Sequence, residues 1–152
     1  MFAIQMSTKK CLASFLLGTL VVTLSACAQL PTQQTCTTST LRGQYAFTGR
    51  GDIEPIDPGV LRMHHGIYVF DGSGTVSGIQ SSSRGGKIGR RETVSGTYTV
   101  DSDCTGTVTF GALLSTTAGG ATHWDLFVTK DGQKGNMIRT DPGSMAIRSF
   151  EK

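Results

Sequence analysis

Arg62, His64 and Tyr68 occupy alternating positions in the run Val60-Leu61-Arg62-Met63-His64-His65-Gly66-Ile67-Tyr68-Val69-Phe70. A strand has a side-chain period of two, so if Tyr68 and Phe70 point into a core, Arg62 and His64 must point inward with them. An unpaired buried guanidinium costs several kcal/mol. Arg62 therefore demands a carboxylate, for which Glu92 is the candidate, or a ligand, or water at an open end. A second group is His123-Trp124-Asp125. Its imidazole and carboxylate could act as a general acid/base pair. Two positions apart on a strand, however, they lie about 6.6 Å from each other, so His123 is expected as a rim residue and Trp124 as core or ligand wall. The third group is Arg84, Lys87, Arg90 and Arg91, in a Gly/Ser-rich loop spanning Ser81 to Gly89 and just beyond. Such a cluster could hold an anionic lipid, lipopolysaccharide or another phosphate group.

The usual catalytic signatures are missing. No G-x-S-x-G surrounds a serine, and there is no H-E-x-x-H, no P-loop, no dinucleotide fingerprint and no C-x-x-C. Asp101 and Asp103 supply too few oxygen ligands for calcium and suit a turn instead. The histidines lack ligand spacing. Neither a metal nor a cofactor is expected, and no catalytic residue is assigned.

These residues sit behind an export signal. Lys9 and Lys10 precede an apolar run of about 14 residues, Cys11 to Leu24, too short to cross roughly 30 Å of hydrocarbon as a helix. Its end, Leu24-Ser25-Ala26-Cys27, resembles the lipobox of bacterial lipoproteins. That resemblance implies acylation of Cys27 after removal of residues 1–26, and Ala28 implies transfer to the outer membrane, facing the periplasm. Ala26-Cys27-Ala28 also fits an ordinary A-x-A cleavage site. Two or three acyl chains would anchor the protein stably. Residues 27–40, rich in Thr and Gln, read as a polar tether. With the leader removed and Cys27 lipidated, Cys36 and Cys104 remain as a pair in an oxidising compartment, and a disulfide is expected. Of the 14 Lys/Arg, 12 then remain against 11 Asp/Glu, so the balance gives no electrostatic case for nucleic acid.

From Leu41 onward no segment shows sustained helical periodicity, while short alternating runs recur about every ten residues between Gly/Asp turns. Strands are expected at about 42–50, 60–70, 75–82, 91–100, 105–111, 121–129, 134–140 and 144–150. Gly43-Gln44-Tyr45-Ala46-Phe47, Gly66-Ile67-Tyr68-Val69-Phe70 and Gly96-Thr97-Tyr98-Thr99-Val100 share the pattern G-x-Y-x-Φ, and its aromatic side is expected to face the core. Residues 41–152 thus predict an all-β domain, a small antiparallel barrel of about eight strands, with a two-sheet sandwich as the alternative. The opposite side of the second strand, Leu61, Met63, Ile67 and Val69, is an outward apolar stripe. It is expected either to lie under the arm held by Cys36 or to contact a second copy.

Gly66-Ile67-Tyr68-Val69-Phe70-Asp71-Gly72-Ser73-Gly74, with Ser95 to Val100 and Asp103-Cys104-Thr105-Gly106-Thr107, resembles secreted bacterial proteins with calycin or allene-oxide-cyclase-type barrels. The shared residues are turn and core positions, so the resemblance implies a fold and little chemistry. The function expected from the whole is a noncatalytic, lipid-anchored barrel that binds a small apolar or amphipathic ligand or an envelope partner. Arg62, His64, Tyr68, Glu92 and Trp124 are its ligand-binding candidates. A cyclase- or isomerase-like barrel enzyme and a periplasmic inhibitor of a hydrolase are the alternatives.

Overall fold

Large apolar and aromatic residues recur at every second position of most segments, and a sheet that buries one such face does so most completely by rolling shut. A computed structural model describes residues 35–53, 57–111 and 120–152. Its strands are β1 (Arg42–Ile53), β2 (Asp57–Asp71), β3 (Thr75–Arg84), β4 (Lys87–Val100), β5 (Thr105–Phe110), β6 (Thr122–Val128), β7 (Lys134–Arg139) and β8 (Met145–Glu151). Every strand pairs antiparallel with the next, and β8 returns to β1 from Ala46↔Glu151 to Asp52↔Met145. The result is a closed eight-stranded barrel; the β1/β8 ladder rules out the sandwich. The leader, Cys27 and the tether as far as residue 34 lie outside the described residues.

Two hairpins run beyond the expected strand boundaries: β1 continues to Ile53 and β2 starts at Asp57, and β3 continues to Arg84 with β4 starting at Lys87. The Gly/Ser-rich segment around Arg84 and Lys87 is not a loop: β3 and β4 continue through it as a hairpin, with Ser82↔Gly89, Ser83↔Ile88 and Arg84↔Lys87 paired. Gly85 and Gly86, with φ of +49° and +85°, make the turn, a backbone region that glycine enters without steric cost. Main-chain bonding holds this extension, which is why its side chains show no apolar alternation.

The barrel has two different ends. The turns after β2, β4 and β6 lie at one of them, and each is folded by an aspartate that accepts a backbone N–H two residues on: Asp71 from Ser73 (2.7 Å), Asp103 from Thr105 (3.0 Å) and Asp131 from Gln133 (3.0 Å). The N-terminal arm closes this end. Cys36 is disulfide-bonded to Cys104 and its N–H donates to Ser102 O at 3.2 Å. Tyr98 Oη lies 2.8 Å from Leu41 O and 3.1 Å from Thr38 O, sharing its hydrogen, and accepts from Gly72 N–H. Residues 36–40, placed at the end of the tether by their composition, are thus bound to the barrel. Beneath them Tyr45 packs edge-on to Phe70 (5.4 Å) and Phe150 (5.6 Å), and Phe70 packs edge-on to Tyr98 (5.0 Å). Aromatic pairs favour this geometry.

Candidate functional site

Towards the other end the interior turns polar, and the register of β1 explains how it fits. Tyr45 opposes Tyr68 and Phe47 opposes Gly66, but the next inward positions of β1 are Gly49 opposite His64 and Gly51 opposite Arg62. On its other side Gly49 opposes Arg148. Leaving out side chains at two successive inward positions opens space for long polar groups from both neighbouring strands.

Arg148 fills the centre of that space. It is buried, its Nε donates to His64 Nε2 at 3.1 Å, and its Nη1 donates to Tyr68 Oη. The guanidinium carbon lies 4.1 Å from the ring centroid of Trp124 and 5.0 Å from that of Phe110, distances at which aromatic faces stabilise a cation. No carboxylate among the described residues pairs with it. Because His64 Nε2 accepts, the ring is neutral with its proton on Nδ1. Burial, reinforced by Arg148 and Arg62, pushes the His64 pKa down to about 2. Burial also pushes the Tyr68 phenol up to about 12 against the pull of Arg148.

Above this layer is the mouth. Arg62, Ser82, Arg84, Lys87, Ile88, Gly89 and Glu92 line a cavity of about 200 Å³. Glu92 Oε2 lies 3.9 Å from Arg62 Nη2, 3.5 Å from Gln80 Nε2 and 3.4 Å from Ser82 Oγ, all longer than charge-assisted hydrogen bonds usually are. Burial and the nearby Arg148 lower the Arg62 pKa, with Glu92 opposing. His64 Nδ1 and Gln80 Oε1 are buried and have no hydrogen-bond partner among the described residues. A larger groove of about 340 Å³ crosses the outer wall past Ala46, Thr48, His65 and Ser149. Its Lys134 is held by Glu151 at 3.3 Å.

The candidates from the sequence therefore separate by level. Arg62 and Glu92 face each other at the mouth, while His64, Tyr68 and Trp124 surround Arg148 one layer below. Of the four cations assigned to one anion site, Arg84 and Lys87 line the mouth, but Arg90 and Arg91 are exposed and outside that lining. A bulge separates them: Arg91 adopts φ +50° and its N–H donates to Ser81 Oγ at 3.2 Å. His123 does not join Asp125. Its Nδ1 lies 2.7 Å from Asp141 Oδ1, and Arg139 Nε donates to Asp141 Oδ2 at 2.6 Å. Burial alone would raise Asp141, but those two partners hold its pKa below the usual carboxylate range. Leu61, Met63, Ile67 and Val69 face outward and are 42–54% exposed. The described arm lies on the barrel end and does not cover them.

Arg148, the residue on which this interior converges, is absent from the sequence-based candidates. Its signal was available: Phe150, two residues on, is a natural core side chain, and a period of two carries Arg148 inward with it. Comparison with known proteins returns no matching family model, no matching curated sequence and no matching solved structure.

Proposed function

We propose that this chain is a noncatalytic binding module of the bacterial cell envelope, tethered through lipid on Cys27, whose barrel mouth seats the polar head of a small amphipathic ligand. The supporting observation is the 200 Å³ mouth cavity standing above an interior already filled by Arg148, Trp124, Phe47 and Tyr68. Pockets that enclose whole drug-sized molecules run to roughly 300–1,000 Å³, so a head group suits this space and the rest of the ligand stays outside. An acid/base enzyme is less favoured. His64 spends Nε2 on Arg148, keeps Nδ1 buried, and does not protonate near neutral pH.

Native mass spectrometry of the protein extracted in mild detergent from membranes tests both halves. The expected spectrum carries an acylated Cys27 and a bound small molecule that Arg62→Gln releases. Protein without a ligand in every preparation overturns mouth binding, and membrane fractionation unchanged by Cys27→Ser overturns the lipid tether. Co-purification of a stoichiometric protein in place of a small molecule would move recognition to an envelope partner.

A further inference from the structure

We infer that the mouth is a receptor for a carboxylate and that Glu92 occupies it from within, to be displaced when a ligand carboxylate binds; this rests on the mouth-binding reading above. Three features of Glu92 point to a stand-in. Its donors, Arg62, Gln80 and Ser82, all approach the one atom Oε2, and none comes closer than 3.4 Å. A carboxylate carried on β4 cannot settle deeper among them, whereas one on a free ligand can move to hydrogen-bond distance. The space around it is reserved by backbone, because a Cβ on Gly89 would lie 2.6 Å from Glu92 Oε1. Finally, a bulge at Gln80/Ser82, with Arg91 at φ +50°, interrupts the β3–β4 pairing directly beside the Gln80↔Glu92 pair, a local irregularity at which a strand bends.

The charge around the site favours an anion over a neutral head group. Arg148 lies close enough to Arg62 for its charge to act there, and Glu92 is the one carboxylate within 4 Å of either guanidinium among the described residues. Arg139, the next guanidinium in the interior, is already engaged by Asp141. An arriving carboxylate therefore meets positive charge that Glu92 only partly offsets. One layer below the mouth, the buried His64 Nδ1–H has no acceptor among the described residues.

The test uses Trp124, the one tryptophan of the chain, as a fluorescence reporter, with benzoate, phenyl phosphate and benzyl alcohol as probes. Benzoate is expected to saturate the wild type while benzyl alcohol does not. Glu92→Ala, which removes the resident competitor, is expected to tighten benzoate about tenfold, and Arg62→Gln to abolish its binding. Phenyl phosphate binding more tightly than benzoate would overturn the carboxylate assignment. Equal binding of benzoate and benzyl alcohol, indifferent to Arg62→Gln, would overturn the anion receptor and leave mouth binding standing. Failure of every probe on the wild type and Glu92→Ala, with no bound molecule in native spectra, would overturn both. If Glu92→Ala does not fold, the wild-type melting temperature decides: benzoate must raise it and benzyl alcohol at the same concentration must not.

Discussion

Arg148 Nε reaches His64 Nε2 across 3.1 Å because the strand between β8 and β2 offers only the backbone of Gly49 at that level. The missing side chain lets these two bulky polar groups, from strands that do not pair with each other, meet at that level. A Cβ on Gly49 would lie 2.2 Å from His64 Nε2 and 2.8 Å from Arg148 Cγ. Gly49→Ala is expected to push these residues apart and to destabilise the barrel by about 1–3 kcal/mol, the usual cost of overpacking. Thermal melts followed by circular dichroism check this, and an unchanged midpoint would contradict it.

Acid should weaken the fold through His64. The unfolded chain takes up a proton on this imidazole near its ordinary pKa of 6.5, while the native state refuses it down to about 2. The unfolded state thus binds more protons across that window, and stability falls as pH falls through it. Between pH 7 and pH 5 the loss should be roughly 2 kcal/mol, at about 1.4 kcal/mol per unit once the unfolded imidazole is charged. Urea melts over this range are expected to show the slope, and His64→Gln to flatten it.

The same imidazole reports on its neighbour. Arg148→Met removes the second-largest cause of the His64 shift, after burial, and leaves Nε2 without its donor. His64 should then titrate at higher pH, and the acid slope should begin to level off sooner. Proton NMR of the imidazole, with His65→Gln and His123→Gln variants for assignment, reads this directly. No upward movement would mean that Arg148 carries no charge there.

Cys104→Ala should free the arm. Opening a loop closed across a sequence separation of 68 residues removes about 4 kcal/mol in the chain-entropy model. Reductant should lower the wild-type melting temperature to that of the variant and leave the variant unaffected. Hydrogen exchange at Cys36 and Thr40, whose N–H groups bond to Ser102 and Thr37, should quicken in both cases.

The barrel was legible in the sequence where burial imposes a period of two. Tyr45, Tyr68 and Tyr98 with their following apolar partners revealed the inward face, and that face carried Arg62 and His64 inward with it. Legibility failed where backbone alone sets the structure. The hairpin at Gly85-Gly86 has no apolar alternation to reveal it, so Arg84 and Lys87 read as loop cations. It failed again where partners come from distant strands. Asp125 is near His123 in the chain, but Asp141, on the turn after β7, is the residue that closes on it. The meeting of Arg148 with Trp124 depends on β6 and β8 flanking β7 in the closed barrel, and no local pattern encodes that.

Closure of β8 onto β1 also makes the strand order cyclic. Lys152 lies beside the start of β1: its Cε would be 3.3 Å from a Cβ on Gly43. Each of the eight ladders joins neighbours on a ring, so no strand is first in any energetic sense. A circular permutant cut between Gly85 and Gly86, with Lys152 joined to residue 35 by a short Gly/Ser linker, would retain every ladder and the Cys36–Cys104 bond. It would also put both new termini at the mouth, where a fused label could watch a ligand enter.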